Sequence, residues 1–335
     1  MNDRSKRRWA RRQWLLGGHG GWRSLIGFAW VAIAMTAVFA VGLAWLSRVV
    51  VQQRTLTLYT TQDLAYAAGI VGQFEQETGI RVQVLYASEA DKTVGGSRML
   101  ADRELAHCDV FWNNALLLTR QLALSGTYRE TNAWAEFGYR SRRLVINTNR
   151  VEWERAPRSL LELTNRHWRG KVAIAYPRSG TTATHFLALR QHWGKAGWQE
   201  WCLGLRDNEP FMLDGNSDVV QLVGRGDAWI GTTDSDDLAV GQRAGLPVAA
   251  LPLSEEMMLI PNTVGVMRDS LHPVAAEQFF QFVQRPDVVE QLVAWQALEG
   301  ASTGGATHPT LNPDWNRLMA ELEQATSELQ SIFVR

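Results

Sequence analysis

From Leu56 onward the chain switches repeatedly between two hydrophobic periods. Leu56 to Thr60 (LTLYT) alternates with period two, as a half-buried strand does. Leu64, Ala67, Val71 and Phe74 then recur at helical spacing, Gly79 closes that helix, and Ile80 to Tyr86 returns to a strand pattern. The unit predicts a right-handed strand–helix–strand crossover. Ser97 to Ala106 predicts a helix, Asp109 to Trp112 a buried strand ending in Asn113-Asn114, and Leu116 to Leu124 the next helix. Further strands are expected over Arg143–Asn147, Lys171–Tyr176, Pro210–Leu213, Ala228–Ile230, Val248–Pro252 and Val264–Arg268. Helices are expected over the PRSLLELTN stretch, Thr181–Trp193, Ser217–Val223 capped by Asn216, Pro273–Val283 and Asp287–Leu298. A last helix spans Pro313–Phe333, with Asn312 as its cap and Pro313 at the first helical position.

Strands alternating with helices throughout predict an α/β fold with mostly parallel sheets. Two weakly hydrophobic connections, near 140–146 and 259–264, divide it into two lobes. The first lobe is expected to hold residues 55–140 and 265–335, the second 141–264, with a ligand cleft between them. At 335 residues and 46% hydrophobic content, the chain can build both cores.

The N-terminus changes the picture. Leu25 to Leu46 is a run of 22 uncharged residues, about 33 Å long as a helix, behind a basic head over residues 1–24. Basic residues on that flank place the head in the cytoplasm and export the body. The run is longer than the apolar part of a cleaved signal, so an uncleaved inner-membrane anchor is expected in preference to a cleaved signal peptide. Residues 1–50 carry eight Lys/Arg and one acid, so the exported remainder is net acidic although the whole chain is neutral. An acidic body argues against a nucleic-acid partner. Cys108 and Cys202 fall in different lobes and are expected to be buried, unpaired thiols.

Candidate chemistry collects where strands end. Gly226–Asp237 (GDAWIGTTDSDD) is a buried strand that runs into Asp234, Asp236 and Asp237; these acids can hold a cation or ammonium group, or cap the next helix. Thr60-Thr61-Gln62-Asp63 precedes a helix, and Trp112-Asn113-Asn114 follows a buried strand; each suits a ligand or a local turn. Ser179-Gly180-Thr181 opens a helix, whose free N–H groups and dipole suit an anion or simple capping. No nucleophile elbow, phosphate loop, dinucleotide fingerprint or zinc spacing occurs, so no enzyme is expected.

In order, the segments LYTTQD, FEQETGIRV, ADRELAHCDVFW, GYRSRRLVINTN, PRSLLELTNRHWRGKVAIAYPRSGT, NSDVVQLVGRGDAWIG and HPVAAEQFFQFVQRPDVVEQL resemble the solute-binding proteins of ABC importers. The resemblance runs from Leu56 to Leu298 and is to the ferric-iron-binding (transferrin-like) group with the type II periplasmic-binding fold. It implies a hinged, periplasmic monomer that delivers a small ligand to an inner-membrane permease. In that group a His, a Glu and two adjacent tyrosines hold iron; those positions fall here on Asp63, Asn114 and the pair Asp236-Asp237. The anion positions fall on Ser179, Gly180, Thr181 and Asn216. All four metal ligands have therefore changed type, to an all-oxygen set suited to hard cations, while the anion half is retained. Asp63, Asp236 and Asp237 are the implied metal ligands, with Gln62, Trp112, Asn113 and Asp234 beside them. Ferric iron or another hard cation with a small anion is the first expectation. A polyamine-like organic cation with Trp112 nearby, or a phosphonate at the anion loop, are the alternatives. A ligand sensor on the same lobes is the reading from another class, although residues 1–24 leave no room for an output domain.

Overall fold

A computed structural model of the chain describes residues 30, 33–43, 54–86, 108–130, 132–177, 180–303 and 310–333. The helix expected over 97–106 and the loop residue Ser179 lie outside the described residues. The chain falls into two units, residues 1–54 and 55–335. In the first, residues 33–43 are helical, and Ile33, Met35, Val38, Phe39, Val41 and Leu43 are all exposed. Apart from Trp30, the rest of the expected span Leu25–Leu46 lies outside the described residues. Among those described, no helix is long and apolar enough to cross a membrane.

Among the described residues the second unit is built on nine strands, in the order β2 (Arg81–Tyr86), β1 (Thr55–Thr60), β3 (Val110–Asn113), β9 (Leu259–Val266), β4 (Trp134–Asn147), β7 (Ile230–Asp234), β5 (Val172–Ala175) and β6 (Phe211–Leu213), with β8 (Val248–Ala250) also on β4. Its first lobe pairs β1 (Thr55–Thr60) in parallel with β2 (Arg81–Tyr86) and with β3 (Val110–Asn113). Between β1 and β2 runs α1 (Leu64–Thr78), opened by the Asp63 carboxylate, which accepts the Ala65 N–H at 2.9 Å. It closes at Gly79, whose φ of 69° needs a residue without a side chain. After β3 comes α2 (Leu116–Leu124). The second lobe has β5 (Val172–Ala175) between β6 (Phe211–Leu213) and β7 (Ile230–Asp234), all parallel. Every residue of β5 is buried, as a strand covered on both faces must be. Its helices are α3 (Gly180–Asp207), α4 (Asn216–Arg225) and α5 (Ser235–Arg243), with β8 (Val248–Ala250) behind them. α3 is broken at Gly194, beyond the Trp193 where the pattern predicts its end.

β4 (Trp134–Asn147) and β9 (Leu259–Val266) cross between the lobes as an antiparallel pair. They correct the expectation of mostly parallel sheets, because β9 is antiparallel to β3 and β4 antiparallel to β7. β4 is also nine residues longer at its start than the predicted strand from Arg143, since its charged stretch reads as a connection although most of it is buried. A bulge at Gly138 (φ 56°), between Phe137 and Tyr139, lets β4 turn from one sheet into the other.

The first core joins Leu58, Phe74, Phe111 and Trp112 to Val264, with α6 (Pro273–Val283) and α7 (Pro286–Ala294) packed on it. The second lobe has two cores, one on each side of its sheet. The last helix, α8 (Trp315–Phe333), was expected with the first lobe but packs on the second. Its buried stripe of Leu318, Ala325, Leu329 and Phe333 faces α3, where Phe186 meets Phe333 edge-on at 5.9 Å. Leu318, Leu329 and Phe333 each contribute about 1.5–3 kcal/mol by this burial. Lys195 of α3 adds an ion pair to Glu328 at 2.6 Å. Asp314, not Asn312, caps α8, accepting the N–H groups of Asn316 and Arg317. Cys108 and Cys202 are not joined in a disulfide; they are buried in different cores, and burial raises both thiols, Cys108 to about 12.

Candidate functional site

The ends of β1 and β3 supply the first lobe's half of the cleft. Thr60 donates its hydroxyl to the Trp112 carbonyl at 3.0 Å, and the Thr61 N–H binds the same oxygen at 3.2 Å. The Thr61 hydroxyl lies 3.0 Å from the side-chain oxygens of both Asn113 and Asn114. Asn113 in turn donates to the Ala115 carbonyl and to Thr119, whose hydroxyl meets that of Thr263 on β9 at 2.6 Å. These hydroxyl and amide side chains are all neutral, and most of their hydrogen-bonding capacity is spent on one another.

Gln62 is different: its side chain is buried, yet its amide nitrogen has no hydrogen-bond partner among the described residues. Buried donors are normally satisfied, which makes Gln62 a candidate ligand contact of the first lobe. The Trp112 indole N–H also has no partner among the described residues, but its ring is not open to a ligand. It is fully buried in the first core against Phe137 and Phe279, which removes it as the cage expected for an ammonium. Asn113 likewise holds the loop rather than facing a ligand.

The second lobe's half is charged. Register places Arg142 of β4 directly opposite Asp234 of β7, and their side chains meet at 2.7 Å. Two residues earlier, on the same face of the strand, Arg140 reaches Asp234 at 3.2 Å and Asp236 at 2.7 Å. The Asp234 carboxylate also accepts the Thr181 hydroxyl at 2.7 Å and the Asn216 amide at 3.2 Å. Asp234 occupies the N-cap position of α5 without making a side-chain cap bond. Asn216 does not cap α4 either: Gly215 takes that position, and Asn216 in the first turn binds Thr181, Arg142 and Asp234. Capping therefore does not account for Asp234 or Asn216.

Burial pushes the Asp234 carboxyl up, but the charges of Arg140 and Arg142 and the Thr181 hydrogen bond outweigh it and hold the group below its ordinary value. Asp236 shifts the other way: burial raises it, Arg140 pulls it back, and the neighbouring Asp234 charge pushes it up again. One Asp236 oxygen binds Arg140; the other, Oδ1, is buried and has no partner among the described residues. Carboxylate oxygens of Asp234, Asp236 and Asp237 lie within 4.8 Å of one another. Asp234 is enclosed by four donors, whereas Asp236 and Asp237 are only partly buried. His185, buried behind Arg142, is pushed down to about 3 by burial and by that charge, so it is neutral, with Nε2–H donating to the Glu256 carbonyl at 2.7 Å.

Arg140 and Arg243 each bridge the two halves. Arg140 donates to the Asn114 carbonyl at 2.8 Å, and Arg243 of α5 donates to the Tyr66 hydroxyl on α1 and to the Trp295 carbonyl at 3.1 Å. The Tyr66 phenol is raised chiefly by burial, and the charges of Asp236 and Asp63 both add to that rise. Tyr66 thus feels carboxylates from both lobes, Asp63 from its own helix and Asp236 from across the cleft. Asp63 keeps its cap bond as well.

The structure accordingly brings Thr181, Asn216, Asp234, Asp236 and Asp237 together around Arg140, and Asn114 beside them through its carbonyl. Gly180 (φ 62°) opens α3 at this point. Arg140, Arg142, Tyr66 and Arg243 were missed from the sequence. The signal for the first two was the Arg-Ser-Arg alternation ahead of LVIN, which puts both guanidinium groups on one face of a strand.

The body is thus a two-lobe α/β fold joined by two crossing strands, with buried polar groups gathered at the crossing. The chain belongs to the family of bacterial extracellular solute-binding proteins, whose model matches residues 56–295. It is 24% identical over 191 residues to the major ferric iron-binding protein of Neisseria meningitidis. That match covers 51% of this chain and 56% of the relative, so the chain spans little more than half the length of the curated relatives it matches. Among solved structures, iron-bound HitA from Pseudomonas aeruginosa superposes with a TM-score of 0.71 at 19% identity, over 84% of this chain and 99% of that one. AfuA from Actinobacillus pleuropneumoniae, solved with fructose-6-phosphate, gives a TM-score of 0.72 at 16% identity over the same shares. At these identities the structural likeness is one of fold.

Proposed function

We propose that this protein is the periplasmic solute-binding component of an ABC importer, acting as a monomer that closes its lobes on a small cation and presents it to a membrane permease. The observation that carries the cationic reading is the Asp236 Oδ1 atom, buried and without a partner beside Asp237. An unpaired carboxylate oxygen in a closing cleft is costly unless a cation or donor arrives to meet it. Asp237 shares that cation, Asp63 approaches it from the first lobe, and Gln62 and the Asn114 amide supply neutral contacts. Ferric iron is the leading candidate, supported by the iron-binding relatives and by the preference of hard cations for oxygen ligands. Closure follows the hinge logic of two rigid lobes turning on β4 and β9. The apolar, exposed helix at 33–43 and the basic residues ahead of it support a tether at the inner membrane.

A second reading, an organic amine, is favoured by Arg140, whose guanidinium already hydrogen-bonds Asp234 and Asp236 and shows that these carboxylates accept N–H donors. Thermal melting of the purified protein with ferric iron, other hard cations and spermidine separates the two readings, because a ligand bound only by the folded state raises the melting temperature with concentration. A rise with ferric iron that is lost in Asp236→Ala/Asp237→Ala supports the metal. A rise with spermidine alone moves the assignment to an amine, and no rise with any cation rejects the cationic cleft.

A further inference from the structure

Asp234 does something the cation reading does not need. Its carboxylate is 1% exposed and takes donors from three separate elements: Arg140 and Arg142 on β4, Thr181 in the first turn of α3 and Asn216 in the first turn of α4. Thr181 and Asn216 are two of the side chains expected to hold a small anion, and both are already donating. Two helices begin at this spot, so the positive ends of their dipoles and two guanidinium groups converge on one carboxylate. Such a convergence is what a free phosphate or carboxylate would seek. Here the anion is part of the chain, delivered by the register that sets Asp234 opposite Arg142. An external anion would have to displace a tethered group present at high effective concentration.

We propose that Asp234 is a resident anion: its carboxylate fills the anion-binding donor set of the cleft from within, so that the protein takes its solute without a co-bound anion and discriminates against solutes carried by a phosphate or phosphonate group. The proposal refines the solute-binding reading above, yet its test needs no solute, so the two can fail separately. The first arm melts the full-length wild-type protein with phosphate, citrate, carbonate and formate at matched ionic strength. Its melting temperature is expected to show no saturable rise with any of them. The second arm uses Asp234→Gly, which vacates the donor set. This variant is expected to melt about 10 °C lower. Formate, supplied as the missing carboxylate, is expected to restore about half of that loss or more in a saturable way that chloride does not match. A folded Asp234→Gly protein indifferent to formate overturns the proposal. So does a saturable rise of the wild type with phosphate or citrate that Asn216→Ala abolishes. Should Asp234→Gly not accumulate as folded protein, the wild-type arm decides: a flat response upholds the resident anion and a saturable one refutes it.

Discussion

The two halves of the cleft are built from opposite chemistry. On the first lobe, Thr60, Thr61, Asn113, Thr119 and Thr263 form a neutral web of hydroxyls and amides that fixes the loop after β3. On the second, Arg140 and Arg142 are compensated by Asp234 and Asp236, every group buried or nearly so. A neutral buried hydrogen bond contributes about 1 kcal/mol, while a buried charge left alone costs several times that. The difference is one of cost: the neutral half loses little when one bond is missing, whereas the charged half depends on every partner it has. Arg140 links them, since it binds carboxylates of one lobe and the Asn114 carbonyl of the other.

The largest expected effect comes from breaking the charged half. Asp234→Ala leaves two guanidinium groups without their shared partner and should lower the unfolding free energy by about 3–5 kcal/mol in urea titrations. Acid should do the same thing reversibly. The Asp234 carboxyl is held below its ordinary value, so its contribution is fully present above about pH 4 and is lost as pH falls through the lower, folded-state value. Asp236, raised in the folded state, works in the opposite sense, its contribution being present below about pH 4 and lost as pH climbs through the higher value. Asp234→Asn should therefore flatten the acid limb of the stability profile, and a limb as steep as the wild type's would assign acid loss to other carboxylates.

In the neutral half the effects shrink. Asn113→Ala should cost about 1–3 kcal/mol, because Thr61 and Thr119 lose partners without any charge being stranded. A loss as large as that of Asp234→Ala would erase the contrast between the halves. Smallest is Arg243→Ala, which removes the exposed bridge from α5 to Tyr66 and Trp295 and should change stability by about 1 kcal/mol or less. Its signature is geometric: small-angle scattering should show a larger radius of gyration as the lobes part, while an unchanged radius would assign the lobe spacing to the remaining contacts of Arg140, Ser141 and Arg143.

Where hydrophobic period alone decides structure, the residues were legible. α2 and α6 begin and end where LLLTRQLAL and PVAAEQFFQFV predict. β4 was not, because Arg140, Ser141 and Arg142 look like a solvated connection until Asp234, far along the chain, is paired with them. No local pattern reports such a partner. α8 shows the same limit: its buried stripe identifies a helix but not the lobe it covers, and α3 proved to be the acceptor. In the site, strand ends are where open α/β sheets gather polar groups, and Gln62, Asn114 and Asp236 do lie just past the ends of β1, β3 and β7. What they could not tell is that Thr181 and Asn216 would be consumed by Asp234, or that Trp112 would turn inward to Phe279.

Calorimetric titration of ferric iron and, separately, spermidine into the intact protein and into Asp236→Ala/Asp237→Ala tests the charged half most directly. The account predicts saturable binding of one of these cations by the intact protein, weakened at least about 100-fold in the double variant, with Asp234 and its partners left in place. Affinity that survives the double substitution unchanged, or the absence of binding for both cations, contradicts it.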